Sequence, residues 1–257
     1  FSPEKLILDN AANLFREGKS NQIEGFKIPL IEDLQLGPEV KDFMNRIDVF
    51  AAGPPCEGNS NLNNITRRTD HRNNHYLSAT LLGVKLGASV ILIENVQTVK
   101  NAKQNVVDHA KIILSSAGYS IKNCEYLLNA ENFNVAQKRK RHFIIAVKNS
   151  FNEEIVDYQR LLTHPLSTMD AIGDLLDNKK SDTMNIFSDL SDENKKRIDF
   201  LFDNDLYDLP DTERPFCHRE KEHSYPSVYG RMYPDRPAFT ITTGFQSPGR
   251  GRYIHPI

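Results

Sequence analysis

An apolar run from Ile47 to Ala52 is broken by Gly53-Pro54-Pro55 and leads straight into Cys56-Glu57-Gly58-Asn59-Ser60. A short apolar run interrupted in this way reads as a buried parallel strand that stops abruptly and opens a loop at its carboxyl end. Loops at that edge of an open α/β sheet are where ligands bind. The pattern therefore favours an α/β chain and puts Cys56 at the ligand edge. A lone cysteine beside a turn is ordinarily a buried structural thiol, so its meaning depends on what else reaches the same edge.

Two further segments bear on it. Residues 89–96, SVILIENV, form a second strand-like run ending in Glu94, Asn95 and Val96. A carboxylate at the end of a buried strand must be hydrogen-bonded, ionised beside a partner, or protonated in an apolar pocket. Taken alone, Glu94 is equally well a helix-capping or surface acid. Residues 137–141, QKRKR, immediately precede the strand HFIIAV at 142–147. Alternation puts Gln137, Arg139 and Arg141 on one face of an extended segment, with Lys138 and Lys140 on the other. By itself such a basic run is a solvated edge.

Together, in this order, the three segments resemble the cytosine-5 methyltransferase family, whose signature is Pro-Cys in motif IV, Glu-Asn-Val in motif VI and Gln-x-Arg-x-Arg in motif VIII. The resemblance runs from about residue 30 to the end, with a variable region between roughly 149 and 228. It implies a Rossmann-like α/β fold dependent on S-adenosylmethionine, with a mixed, mostly parallel sheet flanked by helices. It also implies methylation at position 5 of a cytosine extruded from double-stranded DNA. Cys56 would add to position 6, thiolates being the reactive form. Glu94, as a buried carboxyl with a raised pKa, would donate to the ring nitrogen at position 3 and to the exocyclic amine. Arg141 would hold the base's carbonyl oxygen, and Arg139 would orient the thiol loop and Glu94.

The same resemblance places Asp33, Leu34, Pro55 and Asn73 at the cofactor, and Ser60, Arg67, Arg68, Gln137, Arg250 and Arg252 at the DNA. Residues 59–75 suit a loop that orders on DNA, because they hold seven Asn or Ser among seventeen positions, no long apolar run, and Arg67, Arg68 and Arg72. Asp70, Arg72 and Asn73 resemble motif V. His75 replaces its usual leucine and reads as a helix-start histidine. The segment from Arg236 onward resembles motif IX, with Thr240, Thr242 and Thr243 expected on a strand.

Several functions are disfavoured by composition. The 257 residues contain no apolar stretch of eighteen or more and no positive-then-apolar start, against a membrane span or a secretory signal. Cys56, Cys124 and Cys217 are few and widely spaced, a pattern poor for disulfides or zinc and suited to a reducing bacterial cytoplasm, where the DNA is. Lys and Arg number 32 against 34 Asp and Glu, which leaves room for a basic groove without a basic protein.

Periodicity places helices at about 2–18, 76–87 and 106–117, and strands at 89–94 and 119–128. Further helices are expected near 152–162, 168–176 and 191–203. The division expected is a catalytic domain at 1–148 and a target-recognition region at 149–257, in which Arg214, His218, Arg219 and Lys221 are available to bases or phosphates. Nothing like motif I precedes Asp33 and no motif X helix follows, so the sequence reads as a fragment or one part of a split enzyme, monomeric or in need of a complementing segment. Glu57 stands where glutamine is usual, and Asn134 and Ala136 where glycine and proline are usual. A carboxylate beside Cys56 disfavours the thiolate unless it points away. An RNA cytosine-5 methyltransferase and a catalytically silent DNA-binding or scaffold subunit are the alternative readings.

Overall fold

The computed structural model describes residues 34–60, 66, 68–151, 162–177, 189–219 and 228–257. The helix expected at 2–18, most of that near 152–162, Asp33, Arg67 and Lys221 lie outside them. The chain divides into two compact units, with Asn129–Arg139 grouping with the later residues and the chain from Lys140 returning to the first unit.

In the first unit, a single turn α1 (Pro38–Lys41) precedes β1 (Val49–Ala52), α2 (His75–Lys85), β2 (Val90–Val96), α3 (Val106–Ser116), β3 (Tyr119–Ser120) and β4 (Glu125–Asn129). After β5 (Gln137–Lys138), which belongs to the other unit, comes β6 (Lys140–Lys148). The sheet order is β1-β2-β6-β3, with β4 also paired to β6. β1 and β2 are parallel, whereas β6 runs antiparallel to both β2 and β3. β1, β2 and β3 thus share one direction and β6 opposes them, the mixed α/β sheet that strand-helix-strand alternation predicts.

Both long helices form where apolar spacing predicts them. α3 buries Val106, Val107, Ala110, Ile113 and Leu114 along one face, and Gly118, at φ +80°, ends it in the left-handed conformation that glycine adopts without penalty. α2 buries Tyr76, Leu77, Thr80 and Leu81. With Ile91, Ile93, Ile144 and Ala146 from the sheet they form the core of this unit. Burying one such isoleucine fully stabilises the fold by about 1.5–3 kcal/mol.

One expectation needs correcting. β1 is parallel to β2, but it is not buried: Val49 is 59% exposed, because among the described strands β1 is an edge, paired on one side only.

The two faces of the sheet differ. Ile91, Ile93 and Asn95 of β2, with His142, Ile144 and Ala146 of β6, are buried, whereas Val90, Leu92, Glu94 and Val96, with Arg141, Phe143, Ile145 and Val147, are half-buried. Period-two alternation therefore brings Glu94 and Arg141 to the same, less covered face.

A charged cluster is built into the buried face. Glu125 on β4 receives Lys100 Nζ at 2.7 Å, Lys111 Nζ, and His142 Nε2 at 3.0 Å. Burial opposes the Glu125 charge, but the hydrogen bonds from Lys100, Lys111 and His142 outweigh it and hold the carboxyl at about 2, below its ordinary value of 4.5. Because the folded value is depressed, the stabilisation is present above the unfolded pKa and is lost as pH falls from about 4.5 toward 2. Urea unfolding at pH 5 and pH 3 is expected to show a loss on the order of 2 kcal/mol that Glu125→Gln removes.

The second unit is held by different means. β5 pairs in parallel with β7 (Ala238–Phe239) through Gln137↔Ala238 and Lys138↔Phe239. Thr240 Oγ1 donates to Lys138 O at 2.6 Å. The Arg236 carbonyl accepts from both the N–H and the hydroxyl of Thr168, each at 2.9 Å, at the start of α4 (Thr168–Ile172), where Ser167 and Asp170 form a capping box. The expected threonine-rich strand ends at Phe239, and Thr242 Oγ1 meets Tyr253 Oη at 2.7 Å instead.

α5 (Asp192–Asp203), capped by Ser191, contributes Leu201 to a small core with Leu209, Val228, Tyr229 and Ile254. Beside it, Arg231 lies over the rings of Phe202 and Tyr207, at 4.3 and 4.7 Å, and Arg252 over Tyr233 at 4.5 Å. Arginines sandwiched in this way bury apolar ring area while their N–H groups serve backbone carbonyls.

Candidate active site

The cysteine loop is fastened to the sheet by an amide. Asn95, 1% exposed at the end of β2, donates its Nδ2 to the Pro54 carbonyl at 3.1 Å, and its Oδ1 accepts from Val96 N at 2.9 Å. Beyond Pro54 the chain turns back on itself, Asn59 N donating to Cys56 O at 2.9 Å and Ser60 N to Glu57 O at 3.3 Å. Cys56 stands half-buried at the head of this turn, its thiol unpaired with any other cysteine. Asn95→Ala would leave the buried Pro54 carbonyl without its donor, and thermal unfolding is expected to show a loss of about 1–3 kcal/mol.

Glu94, next along β2, faces the start of the same loop. Its Oε2 lies 3.6 Å from the point a side chain on Gly53 would occupy. Its Oε1 accepts from Arg141 Nε at 2.9 Å, with the Glu94 and Arg141 side chains 34% and 17% exposed. The register explains the pair. Arg141 is opposite Val96, two residues from Glu94 on the same face, the diagonal neighbour that long side chains reach across antiparallel strands. The acid is thus ion-paired rather than isolated in an apolar pocket. Cys56, Glu94 and Arg141 all lie in the first unit.

Behind the thiol turn polar side chains form a chain of hydrogen bonds. Asn59 Nδ2 donates to Asn73 Oδ1 at 2.9 Å, Asn73 Nδ2 to Gln104 Oε1 at 3.0 Å, and Gln104 Nε2 to Asp70 O at 3.0 Å. Gly58 passes so close that a Cβ there would sit 2.3 Å from Asn73 Oδ1, so no larger residue fits without moving the network. Asp70 is buried and grips Arg72 through Nε at 3.0 Å and Nη2 at 2.8 Å. Those bonds, with help from Thr66 and against the effect of burial, hold the Asp70 carboxyl well below the usual carboxylate range. Arg72 Nη1 also donates to the Glu57 carboxylate.

The structure sorts the remaining expected residues. Pro55 is exposed at the carboxyl end of β1, and Leu34 is half-buried against the first core. Asn73 is enclosed, with both polar atoms of its side chain engaged by Asn59 and Gln104. Arg68 turns its guanidinium onto the carbonyls of Asn59, at 2.7 Å, and Thr98, at 3.1 Å, tying the loop to its own protein. Ser60 is half-buried on the thiol turn, and His75 opens α2 as expected.

In the second unit Gln137 lies in β5, with Oε1 buried and lacking a partner among the described residues. The N–H of Arg139 donates to Asn129 Oδ1 at 2.9 Å. Arg250 is exposed. Arg252 is 4% exposed and donates to the carbonyls of Tyr207 and Arg231 at 2.8 and 2.7 Å. The alternation expected of 137–141 holds in exposure, with Lys138 and Lys140 exposed and the others half-buried, but not in pairing, since the segment leaves one sheet at Lys138 and enters the other at Lys140.

Sequence reasoning missed Asn95 as a positioning residue, the Asn59-Asn73-Gln104 chain, and the Arg72–Glu57 pair. Asn95 was visible within Glu-Asn-Val, but nothing in its spacing reports which carbonyl it faces.

An α/β sheet that presents a thiol turn, an acid and an arginine at the carboxyl end of parallel strands places these groups at the edge where such sheets bind ligands. The C-5 cytosine-specific DNA methylase family profile matches residues 6–238, and the chain belongs to that family. It is 44% identical over 220 residues to the Type II methyltransferase M1.BsuMI of Bacillus subtilis (strain 168), covering 85% of this chain and 51% of that protein. It is 30% identical over 175 residues to the Type II methylase M.HgiDII of Herpetosiphon aurantiacus, covering 65% and 49% respectively. The chain thus spans about half the length of these curated relatives. Among solved structures, the S. pombe Dnmt2 methyltransferase aligns at 15% identity with a TM-score of 0.42, covering 96% of this chain and 70% of that one.

Proposed function

We propose that this chain carries the nucleophile, the acid and the carbonyl-binding arginine of a DNA (cytosine-5-)-methyltransferase. The cytosine acted on is extruded from duplex DNA, a displacement that costs a few kcal/mol in lost stacking and pairing. The observation that carries this reading is the Glu94–Arg141 contact beside the Cys56 loop. On a pyrimidine ring the carbonyl oxygen at position 2 and the nitrogen at position 3 are neighbours, so an arginine and an acid already in contact suit both.

Cys56 forms a bond from sulfur to position 6. The electrons displaced from the 5,6 double bond move toward the ring nitrogen; Arg141 exchanges the carboxylate for the base's carbonyl oxygen, and Glu94, released from the ion pair and protonated from solvent, delivers that proton to the nitrogen. Position 5 thereby becomes enamine-like. After methylation the ring nitrogen returns its proton to Glu94, a base removes the proton from position 5, the double bond re-forms, and the thiolate leaves. S-adenosylmethionine, when bound, supplies the electrophilic methyl group, and Pro55, exposed at the carboxyl end of β1, suits contact with it.

Restriction-modification or defence is the setting we infer from the Type II relatives. The second unit is assigned target recognition, with exposed Arg250 available to phosphates. The test is methyl transfer by the full-length protein from labelled S-adenosylmethionine, read as 5-methylcytosine by nucleoside mass spectrometry. Label in duplex DNA supports the proposal. Label in RNA alone, or duplex binding without transfer, overturns it.

A further inference from the structure

Glu57 is an anomaly for a nucleophilic cysteine, because an acid adjacent to Cys56 in the chain opposes its ionisation. The structure pairs that acid. Arg72 donates Nη1 to the Glu57 carboxylate, and the two side chains are 39% and 63% exposed. Arg72 is itself aimed from behind: Asp70, whose side chain is 3% exposed, takes its Nε and Nη2 side-on and also accepts from its backbone N–H at 2.9 Å. Side-on pairing of this kind fixes the plane of a guanidinium. One buried acid therefore sets the arginine, and the arginine's remaining nitrogen takes the exposed acid.

We propose that Arg72 is a positioning residue for the nucleophile, holding the Glu57 carboxylate paired so that its charge does not suppress the Cys56 thiolate. This rests on Cys56 being the nucleophile and adds the device that lets this loop carry an acid beside it. Among the described residues, other charged groups around the loop have partners of their own. Arg68 is on the carbonyls of Asn59 and Thr98, His71 is 3.7 Å from Asp70 with its side chain 87% exposed, and Glu94 is with Arg141.

Alkylation by iodoacetamide reads the thiolate directly and needs neither DNA nor methyl donor, so it reports on the pair even if no methyl transfer occurs. The full chain, Arg72→Met, Glu57→Gln and the double variant are labelled across pH 6–10, with the Cys56 and exposed Cys217 peptides followed separately by mass spectrometry. Arg72→Met is expected to slow Cys56 labelling at pH 7 about tenfold and to move its half-maximal pH up by about one unit, leaving Cys217 unchanged. Glu57→Gln is expected to label at least as fast as the parent. The double variant, which lacks the acid as well, is expected to return to the parent profile. If Arg72 only holds the fold together, the double variant stays as slow as Arg72→Met; that result, or an Arg72→Met profile unmoved in pH, overturns the proposal.

Discussion

Replacing Cys56 by serine is expected to lower methyl transfer by on the order of 10⁴-fold or more, with duplex affinity unchanged within about threefold. The exchange nearly preserves shape, and the turn that presents the residue is closed by backbone bonds from Asn59 and Ser60 and fastened by Asn95 to Pro54, none of which uses the thiol. What disappears is the ionisable sulfur. A hydroxyl at that position needs a base to become nucleophilic, and Glu94, the acid facing the loop, is already engaged with Arg141. Rates from single-turnover methylation, set beside binding isotherms on the same duplex, check both halves of the statement.

Glu94→Gln is expected to slow transfer about 10²- to 10⁴-fold and to change duplex affinity only a few-fold. An amide fills the same space but cannot deliver a proton to the ring nitrogen as charge builds there. Before substrate arrives the acid is bonded to Arg141 Nε at 2.9 Å, so forming the productive complex requires Arg141 to exchange the carboxylate for the base's carbonyl oxygen. The amide oxygen of glutamine still accepts from Arg141, which keeps the arginine satisfied and separates loss of chemistry from loss of structure. Equal falls in rate and affinity would mean that Glu94 holds the site together rather than acting on the base.

Much of the first unit was legible because its signals are local. The apolar face of α3 and the alternation of β2 and β6 are periodicities, and they place Ile93 inward and Glu94 outward without reference to any partner. What local signals do not carry is the identity of partners. The run before Gly53 has the composition of a central strand, yet β1 is an edge among the described strands, and composition does not count neighbours. Residues 137–141 alternate as expected, but alternation does not reveal that the chain changes sheets at Arg139. Arg68 and Arg252 look like phosphate ligands because arginine in a polar loop usually is one. Of their carbonyl partners, Thr98 for Arg68 and Tyr207 for Arg252 are thirty or more positions away, beyond any local pattern. Asn73 is likewise held by a bond to Gln104, 31 positions away.

The family's three motifs were readable as residue types, and the structure adds how they are arranged: the diagonal register that joins Glu94 to Arg141, and the amide that fixes Pro54. At the center of the account is a transient bond between one sulfur and a cytosine ring. The most direct measurement incubates the full-length protein and S-adenosylmethionine with duplex DNA carrying 5-fluorocytosine, whose fluorine cannot leave as a proton does, and analyses the product by denaturing gel and peptide mass spectrometry. The account predicts a covalent complex of protein, methylated base and DNA, joined at Cys56 and absent from Cys56→Ser. Methylated DNA without such a complex, or a complex joined at another residue, would contradict it.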